Sequence, residues 1–340
     1  MSHAPHLPVV DIASLLAGSD PSPAAFEIDR ACREVGFFGI IGHGVDPALQ
    51  ERLEAASHEF FALPDSEKSA IAMARSGAAW RGWFPVGGEL TSGAADRKEG
   101  IYFGEDHDRS HPRVVAATPL HGPNQFPAAP SQLGPAVLDW LTEMRPIADA
   151  VLRGIAVGLG LPATWFEDEL TSDPTILFRI FHYPPDGSDD EWGVGEHSDY
   201  GLLTLLAQDH NGGLQVKSLD GAWFDVEPTP GVLVCNLGDM LERLTGGRYR
   251  STPHRVRNSS GNRRLSFPYF FDPSWDATIP TLPLDRSPST TNERWDGADV
   301  TAWEGRYGDY LTAKVARVFP ELFDAIDSAS SQAPASPKAE

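Results

Sequence analysis

Between Thr175 and Pro273 the apolar residues come in short runs broken by Gly, Pro and Asp. The runs read TILFRIFHY, GLLTLLAQ, GLQVKS, AWFDVEP, GVLVCNLGD, TPHRVRN and RRLSFPYFF. Runs of this length with turn residues between them predict an antiparallel β region of about 100 residues. Many short strands bury their apolar faces only by closing into a barrel or stacking as two sheets. The flanking sequence has a different period. An extended segment, Leu7 to Asp11, precedes a helical pattern from Ser22 to Val35. The glycine-punctuated run from Gly36 to Val45 reads as a strand ending in a turn. Asp46 opens a second helix with Leu49, Leu53, Ala56 and Phe60 on one stripe. Residues 74–134 read as loops and short strands. A long helix is expected from Gly134 to Gly160, kinked at Pro146, and a last one from Val300 to Ile326. Helices first, a β core next and a closing helix predict an α+β fold built on a β-sandwich or barrel.

Composition narrows the function. Lys and Arg total 27 against 48 Asp and Glu, a net charge of −21. Such a chain is repelled by DNA, RNA and anionic lipid. No run of 18 apolar residues is present, so no transmembrane helix is expected. The N-terminus lacks the basic and apolar segments of a secretory signal. Two cysteines, Cys32 and Cys235, make no disulfide framework. The expectation is a cytoplasmic protein, a monomer or weak homo-oligomer, whose partner is a small-molecule substrate. The stretch from Ser328 to Glu340 is low in complexity and expected to be disordered.

The chemistry-bearing residues sit in the β region. His197-Ser198-Asp199 places two metal-ligating side chains at i and i+2, which share a face on an extended strand. His254 lies 254 − 197 = 57 residues later. Two imidazoles and one carboxylate form a set that binds ferrous iron and leaves positions open, whereas structural zinc favours four ligands, often thiolates. With 11 histidines in the chain, ordinary polar residues at strand ends explain this pattern equally well. Ten residues after His254, Arg264-Leu265-Ser266 repeats the i, i+2 spacing. A dicarboxylate chelating the iron through a 2-oxo acid would need a cation for its far carboxylate, and Arg binds carboxylates bidentately. A surface salt bridge is the alternative for this pair. His107 and His111, at i and i+4, are read as a loop rather than a second metal site, and Asp186 to Glu191 as a solvated acidic loop.

In order and context these pieces resemble the isopenicillin N synthase-like family of Fe(II)- and 2-oxoglutarate-dependent dioxygenases. The matching text is LPVVDIASL, GFFGIIGHGV, RIFHYPP, GEHSDYGLLTLLAQD, GLQV, NLGDMLERLTGGRYRSTPHRV, RRLSFPYFFDP and YGDYLTAKVARVFPEL, spanning residue 7 to about 323. The resemblance implies a double-stranded β-helix, or jelly-roll, core with flanking α-helices. It implies a helical and mixed region over 1–170, the core over 171–290, a C-terminal helix over 291–327 and the tail over 328–340. It implies His197, Asp199 and His254 as iron ligands. Arg264, Ser266 and Tyr183 are implied as holders of 2-oxoglutarate. Relatives often carry Asn-Tyr where this chain has Phe181-His182, so those contacts to the co-substrate are altered here. His182 is read as a packed, hydrogen-bonded strand residue. The implied activity consumes O2 and 2-oxoglutarate and hydroxylates an unactivated C–H bond with release of succinate and CO2. Ascorbate is a possible addition in vitro. By position, Arg81, Trp83, Phe84, Tyr102, Phe103, Arg179 and Phe270 are candidates for the substrate pocket. The GC-rich codon usage suggested by the Ala, Gly and Arg content, with the family's habits, points to a small polar metabolite of bacterial natural-product or antibiotic biosynthesis. Two other readings fit the same residues: a same-fold oxidase, desaturase or cyclase that needs no 2-oxoglutarate, and a non-catalytic jelly-roll binding protein.

Overall fold

The short apolar runs after Thr175 become strands, and sequence from the N-terminal part joins them. The computed structural model describes residues 6–185, 192–284 and 296–320. The acidic run Asp186–Glu191, the end of the expected last helix and the tail from Ser328 lie outside the described residues. The strands are β1 (Val9–Asp11), β2 (Phe37–Ile41), β3 (Gly82–Phe84), β4 (Glu99–Gly104), β5 (Pro174–Tyr183) and β6 (Val194–His197). They continue as β7 (Leu203–Gln208), β8 (Leu214–Lys217), β9 (Trp223–Val226), β10 (Leu233–Leu237), β11 (His254–Val256) and β12 (Arg264–Ser274). Eight form one sheet in the order β1-β2-β10-β7-β12-β5-β4-β3, and four form a second in the order β6-β11-β8-β9. This is the two-sheet architecture of a jelly roll. The mixed region expected over 1–170 is woven into it, since β1 and β2 extend one side of the large sheet and β3 and β4 the other.

The longer helices flank the sheets. They are α1 (Ser22–Glu34), α2 (Pro47–Phe61), α3 (Leu133–Gly158), α4 (Asp239–Leu244) and α5 (Tyr307–Val318). Asp46 caps α2 by accepting from Ala48 N–H at 2.9 Å, with Pro47 in the first turn. In α3, Val137, Trp140, Met144, Ile147, Val151 and Ile155 are buried on a stripe of helical period. Each such side chain contributes about 1.5–3 kcal/mol by leaving water. The stripe packs on α1, α2 and the back of β7 and β12. Helix α3 runs through Pro146 without interruption. The proline ring is on the exposed face, where the carbonyl it leaves unbonded can reach solvent. The last helix starts later than the sequence suggests. Val300–Ala302 is a separate 3₁₀ turn, and Gly305 adopts φ +140 before α5 begins. No helix of the described residues is long and apolar enough to cross a membrane.

Alternation along the strands decides what faces the space between the sheets. On β5 the inward residues are Leu177, Arg179, Phe181 and Tyr183, and on β12 they include Arg264, Ser266, Pro268 and Phe270. The crossing near one end of this space is tight. A Cβ on Gly238 would lie 2.7 Å from the carbonyl carbon of Gly201. Gly238→Ala is therefore expected to cost about 2–4 kcal/mol through backbone displacement. The urea midpoint reads this directly; an unchanged midpoint would show that the two backbones do not approach so closely.

Candidate active site

Strands β6 and β11 run antiparallel, and their register sets His254 opposite His197. The ring centroids are 4.1 Å apart. Asp199 lies two residues beyond the end of β6, so the extended spacing expected for His-x-Asp ends at His197. The turn nevertheless returns its carboxylate to the rings. Asp199 Oδ1 is 3.9 Å from His197 Nε2 and 3.8 Å from His254 Nε2, too far for hydrogen bonds. Donor atoms of the three residues all lie within 4.8 Å of one another, and no other such group of His, Cys, Asp and Glu occurs among the described residues.

The remaining polar atoms of these side chains are tied elsewhere. His197 Nδ1 donates to the Gly195 carbonyl at 2.9 Å and His254 Nδ1 to the Thr252 carbonyl at 3.2 Å. Asp199 Oδ2 accepts from Thr204 Oγ1 at 2.5 Å and from Asn236 Nδ2 at 2.6 Å. The two Nε2 atoms and Oδ1 are left facing one gap. Burial, reinforced by the neighbouring His254, pushes the His197 imidazole down to about 3, so it is neutral at physiological pH. Burial opposes ionisation of Asp199, but His254, His197 and the two hydrogen bonds outweigh it and hold the carboxyl below its ordinary range. Two imidazoles and a carboxylate fit ferrous iron with positions left open. Asp239, fully buried, braces the turn: its N–H donates to the Asp199 carbonyl, and its carboxylate accepts from Ser198 and from Tyr310 of α5.

The gap opens into a cavity between the sheets. At one end β12 carries Arg264 opposite Tyr183, and Ser266 opposite Phe181. Arg264 is 1% exposed, and its guanidinium carbon lies 4.6 Å over the Tyr183 ring. Its Nε donates to the Gly212 carbonyl and its Nη2 to Gln208 Oε1 at 3.1 Å, while Nη1 is buried without a partner. An unsatisfied buried N–H of a cation costs about 1–3 kcal/mol or more. An open donor on a buried guanidinium fits a carboxylate partner. Ser266 Oγ and Tyr183 Oη are 3.3 Å apart beside it.

Of the sequence-derived substrate candidates, Arg179 and Phe270 line this cavity and Tyr102 stands one layer behind, with Arg179 stacked at 4.0 Å on its ring. Arg81 and Trp83 are elsewhere, which corrects their placement by position. Trp83 lies opposite Ile101, on the face of β3 and β4 turned from the cavity, and its Nε1 donates to Glu99 at 2.8 Å. Arg81 precedes β3 and donates to the Leu120 carbonyl at 2.7 Å, in a separate small pocket with His107 and His121. Phe84 packs edge-on against Tyr102 and Phe319, and Phe103 stacks on Phe126 and Phe178. Phe181 lines the cavity. His182 points the other way, bonded to Glu99 at 2.9 Å and stacked 5.0 Å from Phe61, as a packed strand residue. His107 and His111 stack face to face at 4.1 Å.

Sequence reasoning missed Thr204, Asn236 and the charged wall formed by Glu89 and Lys98. Asn236 had a usable signal: it is the one hydrogen-bonding side chain in the otherwise apolar run GVLVCNL, and a buried strand position needs a partner for it. Glu89 and Lys98 belong to a region with no clear period.

Comparison with known proteins places the chain. A family model described as the 2OG-Fe(II) oxygenase superfamily matches residues 174–273. Another, for the N-terminal part of a non-haem dioxygenase in morphine synthesis, matches residues 7–129. A probable iron/ascorbate oxidoreductase of Dictyostelium discoideum is 43% identical over 93% of this chain and 95% of its own. A homoarginine-6-hydroxylase of Arabidopsis thaliana is 35% identical over 94% and 90%. Among solved structures, a full-length Neurospora crassa protein in complex with alpha-KG superposes with TM-score 0.75 and 28% identity, covering 91% of this chain and 96% of that one. These matches, on this fold, define a non-haem iron oxygenase. The chain belongs to the 2OG-Fe(II) oxygenase superfamily and is a 2-oxoglutarate-dependent iron dioxygenase, whose class uses Fe(II), 2-oxoglutarate and O2.

Because Asn236 fixes Asp199 Oδ2, Asn236→Ala is expected to weaken Fe(II) binding about 10- to 100-fold without unfolding the chain. Anaerobic metal titration measures this; parent affinity in the variant would mean that Oδ2 needs no such restraint.

Proposed function

We propose that His197, Asp199 and His254 hold Fe(II), and that Arg264, Ser266 and Tyr183 hold 2-oxoglutarate. The enzyme then hydroxylates a C–H bond of a small polar metabolite. The observation that carries this reading is the meeting of two free Nε2 atoms and one free carboxylate oxygen in the same cavity as the unpartnered Nη1 of Arg264. When bound, the iron with 2-oxoglutarate and O2 supplies the oxidising chemistry, with succinate and CO2 as co-products. The chain's own residues do the rest. The hydrogen bonds on Asp199 Oδ2 and on both Nδ1 atoms keep the donor atoms aimed inward. Arg264 neutralises the far carboxylate of the co-substrate, and Ser266 and Tyr183 supply hydroxyls next to it. Phe181 and Phe270 give the cavity an apolar aromatic surface beside these groups.

For the substrate, the homoarginine-6-hydroxylase relative and the charged cavity wall support an amino-acid-derived compound over an apolar one. A cytoplasmic enzyme of bacterial natural-product metabolism fits the composition and this chemistry. A same-fold oxidase independent of 2-oxoglutarate would keep the same Arg264 and is set apart by forming no succinate, and a pure binding protein leaves the three aimed donor atoms without a purpose.

Anaerobic addition of Fe(II) and 2-oxoglutarate should produce a weak visible charge-transfer band. Asp199→Ala should abolish the band and turnover, and Arg264→Ala should raise the 2-oxoglutarate requirement about 10- to 100-fold. Folded protein that gives no band would favour the binding-protein reading, and full activity of Asp199→Ala would refute the ligand set.

A further inference from the structure

Arg179 is a largely buried cation whose charge is balanced and whose hydrogen bonds are not made. It sits on the cavity face of β5, four residues from Tyr183. Its side chain is 12% exposed. Its guanidinium carbon is 4.0 Å from the Tyr102 ring and 4.8 Å from the Phe270 ring. Tyr102 comes from β4 and Phe270 from β12, the two strands that flank β5. Aromatic rings thus approach the guanidinium from both flanks, and cation–π contact satisfies its faces but not its N–H edges.

Arg carries five N–H donors. Among the described residues Arg179 donates no hydrogen bond, and its Nε is buried without a partner. The nearest carboxylate oxygen is Glu89 Oε1 at 3.7 Å, within ion-pair range but beyond a hydrogen bond. Glu89 is already engaged, by Tyr102 Oη at Oε1 and by Lys98 Nζ 2.8 Å from Oε2. Lys98 in turn meets Asp96. Two cations and two carboxylates explain how Arg179 stays charged here. They do not explain why its donors are left open toward a cavity that contains the iron-binding gap.

The co-substrate does not account for them. Arg179 lies beside Pro268 in the register of β5 and β12, four residues along β12 from Arg264. At the rise of a strand their Cα positions are about 13 Å apart, with the gap of the triad in the same cavity. A dicarboxylate with its far carboxylate at Arg264 and its 2-oxo acid end turned to the iron gap has no carboxylate left over for Arg179. We infer that Arg179 anchors a carboxylate of the substrate by its open edge, so that this enzyme selects acidic metabolites. The inference rests on the assignment of Arg264 to 2-oxoglutarate. A neutral carbonyl could accept one hydrogen bond from the same edge, but only a carboxylate takes two in parallel and meets the charge as well.

The test uses the full-length protein loaded anaerobically with Fe(II) and 2-oxoglutarate, so that binding is read without turnover. Calorimetry compares a panel of free L-amino acids with the same compounds as carboxamides. The tightest acid should bind roughly thirtyfold better than its carboxamide, the scale of charge-assisted hydrogen bonds. Arg179→Met should reduce that ratio to about threefold or less, and Arg179→Lys should retain part of it, because the charge stays and the fork is lost. Circular dichroism checks both variants, and if the Met variant does not fold, the parent's ratio and the Lys variant still decide. Acid and amide binding alike to the parent, no acid binding at all, or a ratio untouched in Arg179→Met would each overturn the assignment. The charge-transfer band in the same parent sample separates the two claims: its absence removes the iron and co-substrate sites, whereas its presence with a ratio near one removes only the role of Arg179.

Discussion

Everything at the centre of this molecule depends on one pairing, β6 against β11, with His254 set across from His197. Antiparallel register converts a 57-residue separation in sequence into adjacent rings. It also fixes which nitrogen of each ring faces the other, because Nδ1 is held by a main-chain carbonyl in both. A slip of one residue would turn an imidazole to the far face of the small sheet. The third donor depends on a different restraint. Asp199 has left the strand, and Thr204, Asn236 and the Asp239 brace return it to the gap. A buried carboxylate is costly unless hydrogen-bonded, so the same contacts that aim Oδ1 also keep the group ionised.

The cavity uses its two guanidinium groups differently from its one ammonium. Lys98 is closed on Glu89 and Asp96, and reads as part of the wall. Arg264 and Arg179 each retain an unpaired donor, at separate positions along β12 and β5. A fold that leaves such donors dry does so at a loss of stability, and binding recovers that loss when a matching anion arrives. The same principle gives selectivity, since a ligand lacking the anion leaves the donor unpaired.

Much of this was legible in the sequence. The turn-broken apolar runs after Thr175 predicted the antiparallel core, and the stripe on Leu49, Leu53, Ala56 and Phe60 predicted the second helix, because both signals are periodic and local. HSD, TPHRV and RLS named the residues that the fold gathers. What could not be read was side-chain direction in the stretch from 74 to 134, where short strands and turns hide parity. Trp83 and Tyr102 look equivalent in sequence and face opposite sides of the sheet. Arg81 and Arg179 look alike as buried arginines, yet Gly104 leaves room for the Arg81 guanidinium at the far end of β4, well away from the iron gap. The later start of the last helix was hidden for a related reason, since Gly305 breaks a pattern whose apolar spacing continues across it.

The central claim is a location for one ion. Diffraction at the iron absorption edge, from crystals grown anaerobically with Fe(II), measures it without reference to turnover. The expected result is a single anomalous peak bonded to Nε2 of His197, Nε2 of His254 and Oδ1 of Asp199. A peak at the stacked pair His107 and His111, or one reached through Nδ1 with the rings reversed, would contradict it.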